Sequence, residues 1–244
     1  MTKSNVNDNR LKNYADSIEY KKYLEQYNYI FDKDYFIDQE IHFLTDEIKL
    51  TIDNYNHSYN LTHNYGKSIS CQRLTLYYNH DNQLYTTRYA FGKIFYQYIR
   101  HSNNNEYFVS GNDLMEYAIY NITKNKVYKF VSECRIDENS EEDCDNEFWY
   151  IKEWLYNPAN NLIAVHGQDG MNCSTVTVCD FTNPEILPLK FKNLYKIIAD
   201  HCQDGTCIAK RWTDNNLLEL EVCEENSKII YLSAQEIIAL LNLK

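Results

Sequence analysis

The stretch Phe148–Phe191, FWYIKEWLYNPANNLIAVHGQDGMNCSTVTVCDFTNPEILPLKF, shows the clearest alternation of strand and turn signals in the chain. Trp149–Tyr156 is rich in aromatic residues, Asn157–Asn161 contains the Asn and Pro residues of a turn, and Leu162–His166 is a short apolar run ended by a glycine. This pattern is typical of a β-hairpin. Two further strand-like runs follow, Thr175–Phe181 and Leu187–Phe191. The stretch therefore predicts a four-stranded meander.

Similar turn signals recur throughout residues 67–244, which predicts a mainly β domain built of antiparallel meanders. A weak repeat underlies them, because Asn-containing turns begin near Asn105, Asn161 and Asn216, about 55 residues apart. Regular meanders of this length favour a small or partial β-propeller-like domain, and a β-sandwich is the alternative.

Two tryptophans, Trp154 and Trp212, stand shortly before the second and third of these turns. An aromatic residue repeated at one position of a blade-like unit is expected to fill the space between neighbouring sheets. We therefore expect both side chains to be largely buried.

Residues 1–66 predict a helical N-terminal arm followed by a linker. Apolar residues recur at steps of three and four over Leu11–Phe31, and again at Ile37, Ile41, Leu44 and Ile48. This arm either packs on the β-domain and closes a sheet edge, or forms a partner-binding helix pair. At the other end, Ser233 followed by Glu236 predicts a capping box for a short C-terminal helix.

The composition limits the classes of partner. A formal net charge of −11 repels phosphate, so we expect no nucleic-acid partner. No apolar run approaches the roughly 18 residues that span a bilayer, so we expect no membrane partner and a soluble, cytoplasmic protein. Heavy use of Asn and Tyr is common in AT-rich genomes, and a large DNA virus as source would place the protein in the virion or the host cytoplasm.

The eight cysteines form no CxxC pair and predict mainly small core side chains.

The residues YFVSG (Tyr107–Gly111), YAIYNITKNKVYKF, LYNPANNLIAVHG and VTVCDFTNPEILPL follow one another in a distinctive order. In this order the chain resembles a family of uncharacterised microbial and viral β-rich proteins that are propeller-like in pattern. The resemblance covers about residues 105–192. It implies the β-rich fold and, since no activity is known for the family, it implies no catalytic residue.

Five polar residues fall in loops that follow equivalent strands, and these loops are expected to converge at one end of a propeller-like domain. They form the candidate binding cluster: His166, Asp169, Cys173, His201 and Asp204. Cys202 and Cys207 lie nearby, but their spacing is not that of a common zinc site, so we expect neither a metal nor another cofactor. No nucleophile elbow, metalloprotease or phosphate-loop motif is present, and we assign no catalytic residue.

Two functions remain open at this point. The first is a non-catalytic β-scaffold that binds another protein. The alternative is a hydrolase-like enzyme, metal-dependent or not, with a loop-built pocket at one end of the β-domain. An enzyme should bring strongly shifted titrating groups together in a pocket, whereas a binding module should expose an aromatic or apolar patch.

Overall fold

A computed structural model describes residues 12–59, 67–79, 81–90, 94–136, 150–168, 173–198, 206–222 and 227–242. Within these residues the chain is mainly β, with four antiparallel sheets whose strands are hydrogen-bonded in chain order. The prediction of successive antiparallel meanders is confirmed. It follows from short connections, because consecutive strands joined by tight turns can only run antiparallel.

The first sheet contains β1 (Phe36–Phe43), β2 (Ile48–Tyr59), β3 (Lys67–Tyr78) and β4 (Asn82–Ala90). The second contains β5 (Phe95–Arg100), β6 (Glu106–Asp113), β7 (Glu116–Asn121) and β8 (Lys126–Val131). The third contains β9 (Tyr150–Asn157), β10 (Leu162–Gln168), β11 (Ser174–Asp180) and the short β12 (Lys192–Asn193). The fourth contains β13 (Cys207–Trp212), β14 (Leu217–Val222) and β15 (Lys228–Ser233).

The helices are short: α1 (Ile18–Glu25), α2 (Tyr195–Ile198) and α3 (Ala234–Leu241). Three 3-10 turns accompany them, Asn28–Phe31, Lys33–Tyr35 and Glu133–Arg135. At the start of α3 the Ser233 and Glu236 side chains form the predicted capping box, so the C-terminal helix is confirmed.

Asparagines shape the turn between the first and second strands in each of the last three sheets. Asn104, Asn161 and Asn216 adopt φ values of 63°, 57° and 59°. Asn tolerates this left-handed conformation better than most residues that carry a Cβ. The repeat seen in the sequence is therefore a repeated backbone geometry, and its first member is Asn104 rather than the neighbouring Asn105.

Hydrophobic clusters hold successive sheets together. One buries Leu50 and Leu74 of the first sheet with Phe108 of the second. A second joins the second and third sheets around Phe95, Tyr117 and Trp154, and a third joins the third and fourth sheets with α3. Among the described residues, no cluster joins the fourth sheet to the first.

The predicted helical arm is wrong beyond Glu25. Residues 36–43 and 48–59 are strands, and β2 pairs with β3 over twelve positions that span the expected boundary at residue 66. The error has a physical cause, since the four-residue step from Ile37 to Ile41 fits both a helix face and one face of a strand. Alternation at Ile48, Leu50 and Ile52, all buried, is the pattern that decides for a strand.

The fourth strand of the expected meander is also different. Residues 187–191 form no strand, and only Lys192 and Asn193 pair with β11. Pro188 lies within the predicted run, and a proline has no N–H to donate to a neighbouring strand.

Candidate interaction surface

β1 is an edge strand with an unusual exposure pattern. Seven of its eight residues are exposed and the eighth, His42, is half-buried. The exposed residues include four large hydrophobic side chains: Phe36 (45%), Ile37 (58%), Ile41 (54%) and Phe43 (66%). In the described part of the chain, β1 has a strand neighbour on one side only, β2. An edge of this kind presents backbone donors and acceptors together with apolar side chains.

The hydrogen-bond pattern determines which backbone groups face the open edge. Leu44 N donates to Ile48 O at 2.9 Å, so this pair is of the hydrogen-bonded type. The two pair types alternate along an antiparallel ladder, and the register continues as Phe43 opposite Lys49 down to Asp38 opposite Asn54. The N–H and C=O groups of Gln39, Ile41 and Phe43 consequently point away from β2, toward the open edge.

The side chains of Asp38, Glu40 and His42 share one face of β1, and this face is acidic. The Asn54 amide donates to Asp38 at 2.7 Å and to Glu40 at 3.1 Å, which holds both carboxylates in place on the exposed strand. His42 Nε2 lies 3.3 Å from Glu40 Oε2, and the His42 ring packs 5.5 Å from that of Tyr96 in β5. The strand thus displays alternating apolar and polar rows on its two faces.

Three of the other edge strands, β8, β12 and β15, each have a protecting feature that β1 lacks. The edge of β8 is covered by the N-terminal segment, where Tyr14 N donates to Val131 O and the Asn13 side chain bonds both Val131 N and Lys129 O. β12 is only two residues long, and β15 begins with a lysine and runs directly into α3. The sequence of β1, FIDQEIHF, contains neither lysine nor proline, and its one irregularity is a shift in register between Phe36 and Asp38.

The contacts of the N-terminal segment support the edge-closing alternative for the predicted arm. Ser17 caps α1 by accepting from Tyr20 N, and the Tyr20 side chain reaches into the second sheet. There it joins a buried group of charged residues that sequence reasoning did not find.

This cluster, called the buried charge group, consists of the buried Asp113 and Glu116 and the half-buried Lys129 and Arg135, with the Tyr20 hydroxyl hydrogen-bonded to Glu116. Lys129 Nζ lies 3.2 Å and Arg135 Nε 3.5 Å from Glu116, and Arg135 also pairs with Asp113. Burial raises the pKa of Asp113, while the Arg135 charge opposes that rise. Two carboxylates face two cations, so the group is balanced and every member has a protein partner, as expected for a structural network.

A second carboxylate organises the contact between the second and third sheets. Glu185, in the connection after β11, accepts from Lys124 Nζ at 2.8 Å, Tyr128 OH at 2.7 Å and Asn121 Nδ2 at 2.8 Å. The hydrogen bonds from Lys124 and Tyr128 lower the pKa of Glu185 to about 2. The only sequence signal was a lone Glu after an Asn-Pro turn, which gives no indication of these three donors or of the Tyr107 hydroxyl, which also donates to Glu185 at 3.3 Å.

Only two members of the predicted binding cluster lie within the described residues. His166 is in β10, directly opposite Val176, and Cys173 immediately precedes β11 beyond the pair formed by Gln168 and Ser174. Strand pairing therefore does not place the two side chains opposite each other. Asp169, His201 and Asp204 fall outside the described residues, as does Cys202.

His166 is buried, and two lysine side chains lie near it. The residue is 5% exposed, and its Nε2 has no hydrogen-bond partner among the described residues. Burial, with Lys152 and Lys210 nearby, lowers the pKa of His166 to about 4. The imidazole is thus neutral at pH 7 and behaves as a core side chain between the third and fourth sheets.

The cysteines divide into two kinds. Cys71, Cys179 and Cys207 are buried, as expected of small core side chains, and Cys173 is half-buried. Cys134 is disulfide-bonded. In the described residues no three His, Cys, Asp or Glu side chains are grouped as a metal ion would require.

Comparisons with known proteins assign no function to the chain. None of the helices in the described residues is long and apolar enough to cross a membrane. No protein-family model, no curated protein and no solved structure matches the chain.

Proposed function

We propose that the chain is a non-catalytic protein-interaction module that takes up an extended segment of another protein chain at the open edge of β1. The observation that carries this proposal is the exposure of seven of the eight β1 residues, with four large hydrophobic side chains among them. Strand addition uses the backbone groups of the edge for affinity and the side chains of alternate residues for selectivity.

The electrostatics of the rest of the molecule favour binding over catalysis. The buried charge group, Asp113 with Glu116, Lys129 and Arg135, is neutral overall and its members are paired with one another. Charged residues that pair with one another in this way are typical of a structural ion-pair network. Structural ion-pair networks also shift pKa values, so the raised pKa of Asp113 does not by itself favour the enzyme alternative.

We further propose that the four sheets follow one another in a propeller-like order. Three contacts support this order. The His42 and Tyr96 rings lie 5.5 Å apart, the Phe95 and Trp154 rings 5.1 Å apart, and Trp212 donates to Leu155 O at 2.9 Å. Each contact joins the first strand of one sheet to the first strand of the next. A sandwich would instead require two sheets packed face to face around one core.

The cytoplasm is the location that we propose for the protein, or the virion and host cytoplasm for a viral source. The free thiol of Cys179 supports a reducing compartment, whereas the disulfide of Cys134 argues against one. The state of Cys134 in protein whose thiols are alkylated at cell lysis and which is purified without reductant distinguishes the two environments.

A random peptide library displayed on phage tests the proposed function. We expect panning on the purified protein to enrich peptides with alternating apolar residues, which bind an Ile186→Ser control equally well because Ile186 is 69% exposed but lies outside β1. Ile41→Pro should abolish this binding, since it removes an outward N–H while leaving the β1–β2 hydrogen bonds intact. Enriched peptides that bind Ile41→Pro with unchanged affinity, or no enrichment at all, would refute the proposal.

A further inference from the structure

The open edge of β1 is complementary to itself. Its outward backbone groups belong to Gln39, Ile41 and Phe43, and residues between them carry charge of both signs, Glu40 and, when protonated, His42. In an antiparallel pair of edge strands, only outward-facing residues can exchange hydrogen bonds across the new ladder. This condition leaves a small number of registers in which one copy of β1 can pair with another.

We infer that the segment bound at β1 is the β1 strand of a second copy of this chain, antiparallel and centred on Ile41. The inference rests on the proposed function and names its partner. It joins the two first sheets into one continuous eight-stranded sheet about a twofold axis. In such an isologous contact every interaction is made twice.

Charge selects the register. A pair centred on Gln39 places Asp38 opposite Glu40 of the second copy at two points. A pair centred on Glu40 places Asp38 opposite His42 at two points but puts the Glu40 carboxylate opposite its own copy at the centre. Both arrangements put like charges directly across the ladder, which is destabilising.

The register centred on Ile41 avoids these repulsions. It places Glu40 opposite His42 of the second copy twice, and Ile41 opposite Ile41. Gln39 and Phe43 face each other on the same side of the sheet as the isoleucines. The exposed apolar side chain of Ile41 is then covered by its copy, and the outward N–H and C=O groups of Ile41 are satisfied.

A register centred on His42 is the remaining competitor. It brings two imidazoles together, leaves Glu40 opposite Leu44, and pairs fewer residues of β1. It therefore lacks the charge complementarity of the Ile41-centred pair. A contact limited to one edge strand is small, so we expect a reversible dimer that forms at micromolar concentrations rather than an obligate one.

Sedimentation equilibrium of the full chain with a charge-swap series tests the inference. His42→Glu places glutamates opposite each other at both Glu40 positions and should weaken the dimer by about tenfold. The double variant Glu40→His/His42→Glu restores both opposite-charge pairs and should return the dimerisation constant to near the wild-type value. Ile41→Pro should be monomeric, and Ile186→Ser should dimerise like the wild type.

The outcomes separate this inference from the proposed function. A wild-type chain that is monomeric at every concentration overturns self-pairing, as does His42→Glu with an unchanged dimerisation constant or a double variant that is not rescued. If the monomer still binds the selected phage peptides, the proposed function stands and only its partner is wrong. Dimers that selected peptides dissociate would support both. Unchanged urea midpoints of the variants establish that they are folded.

Discussion

The indole N–H of Trp212 in β13 donates a 2.9 Å hydrogen bond to the main-chain oxygen of Leu155 in β9. This bond ties the first strand of the fourth sheet to the first strand of the third. Trp154, one residue before Leu155, points to the other side of β9 and stacks on Phe95 of the second sheet. Tryptophans at related positions thus connect three successive sheets.

The two tryptophans differ in burial, which leads to the first prediction. Trp154 is 2% exposed, as expected, whereas Trp212 is only partly buried because it lies in the last sheet. Trp154→Ala should therefore cost about 3–5 kcal/mol of unfolding free energy, the range for emptying a buried aromatic site. Trp212→Phe keeps most of its ring packing and should cost about 1 kcal/mol through the lost hydrogen bond. Urea midpoints measure both, and equal effects would contradict the difference in their packing.

The second prediction concerns the repeated asparagine turns. Asn216 has φ 59° and an exposed side chain, so its conformation can be tested with little loss of packing. Asn216→Val should destabilise by about 1–2 kcal/mol, because a β-branched residue is strained in the left-handed region. Asn216→Gly is the matched control and should change stability far less, since glycine adopts this conformation freely. A valine variant as stable as the glycine variant would show that the positive φ is not required.

The third prediction addresses the buried charge group. Glu116 is buried and faces Lys129, Arg135 and the Tyr20 hydroxyl. Glu116→Ala leaves two cations with one carboxylate in a buried site, so it should cost about 3–5 kcal/mol. Glu47→Ala, at an exposed glutamate, should change the urea midpoint little. A small effect of Glu116→Ala would mean that water or another residue compensates the charge.

Some features of the fold are determined by neighbouring residues and can be predicted from the sequence, whereas others depend on contacts between distant segments. Leu162–His166 was predicted as a strand and lies within β10, and the Asn161 turn before it has the expected reversal, because alternation and turn chemistry act over neighbouring residues. The strand at β1 could not be distinguished from a helix in this way. Its pairing with β2 and the packing of β2 on β3 decide its conformation, and these contacts are not encoded in local periodicity.

The candidate surface was missed for the same reason. Sequence reasoning selected polar loop residues such as His166 and Asp169, because polar residues at strand ends are typical of binding sites. Exposure of Ile37 and Ile41 depends on β1 being an edge, and edge position is a property of the complete sheet. The partners of Glu116 and Glu185 come from segments far apart in the chain, so neither cluster has a local sequence signal.

The last prediction uses the lowered pKa of Glu185. Its pKa is about 2 in the folded protein, because Lys124 and Tyr128 donate to the carboxylate, and lies near the ordinary value of 4.5 in the unfolded chain. A folded-state pKa below the unfolded value means that the carboxylate stabilises the fold above about pH 4.5 and that this contribution is lost as the pH falls toward 2.

Glu185→Gln should remove about 1–2 kcal/mol at pH 7, a value reduced for partial solvent exposure. The difference in unfolding free energy between wild type and variant should stay constant above pH 5 and shrink between about pH 4.5 and 2, as measured by urea unfolding across this range. Lys124→Met supplies the matched control, because removal of the main donor should raise the folded-state pKa of Glu185, so that the loss of stability becomes smaller and ends at a higher pH. A Glu185→Gln difference that is independent of pH would show that the contact between the second and third sheets does not depend on the ionised carboxylate.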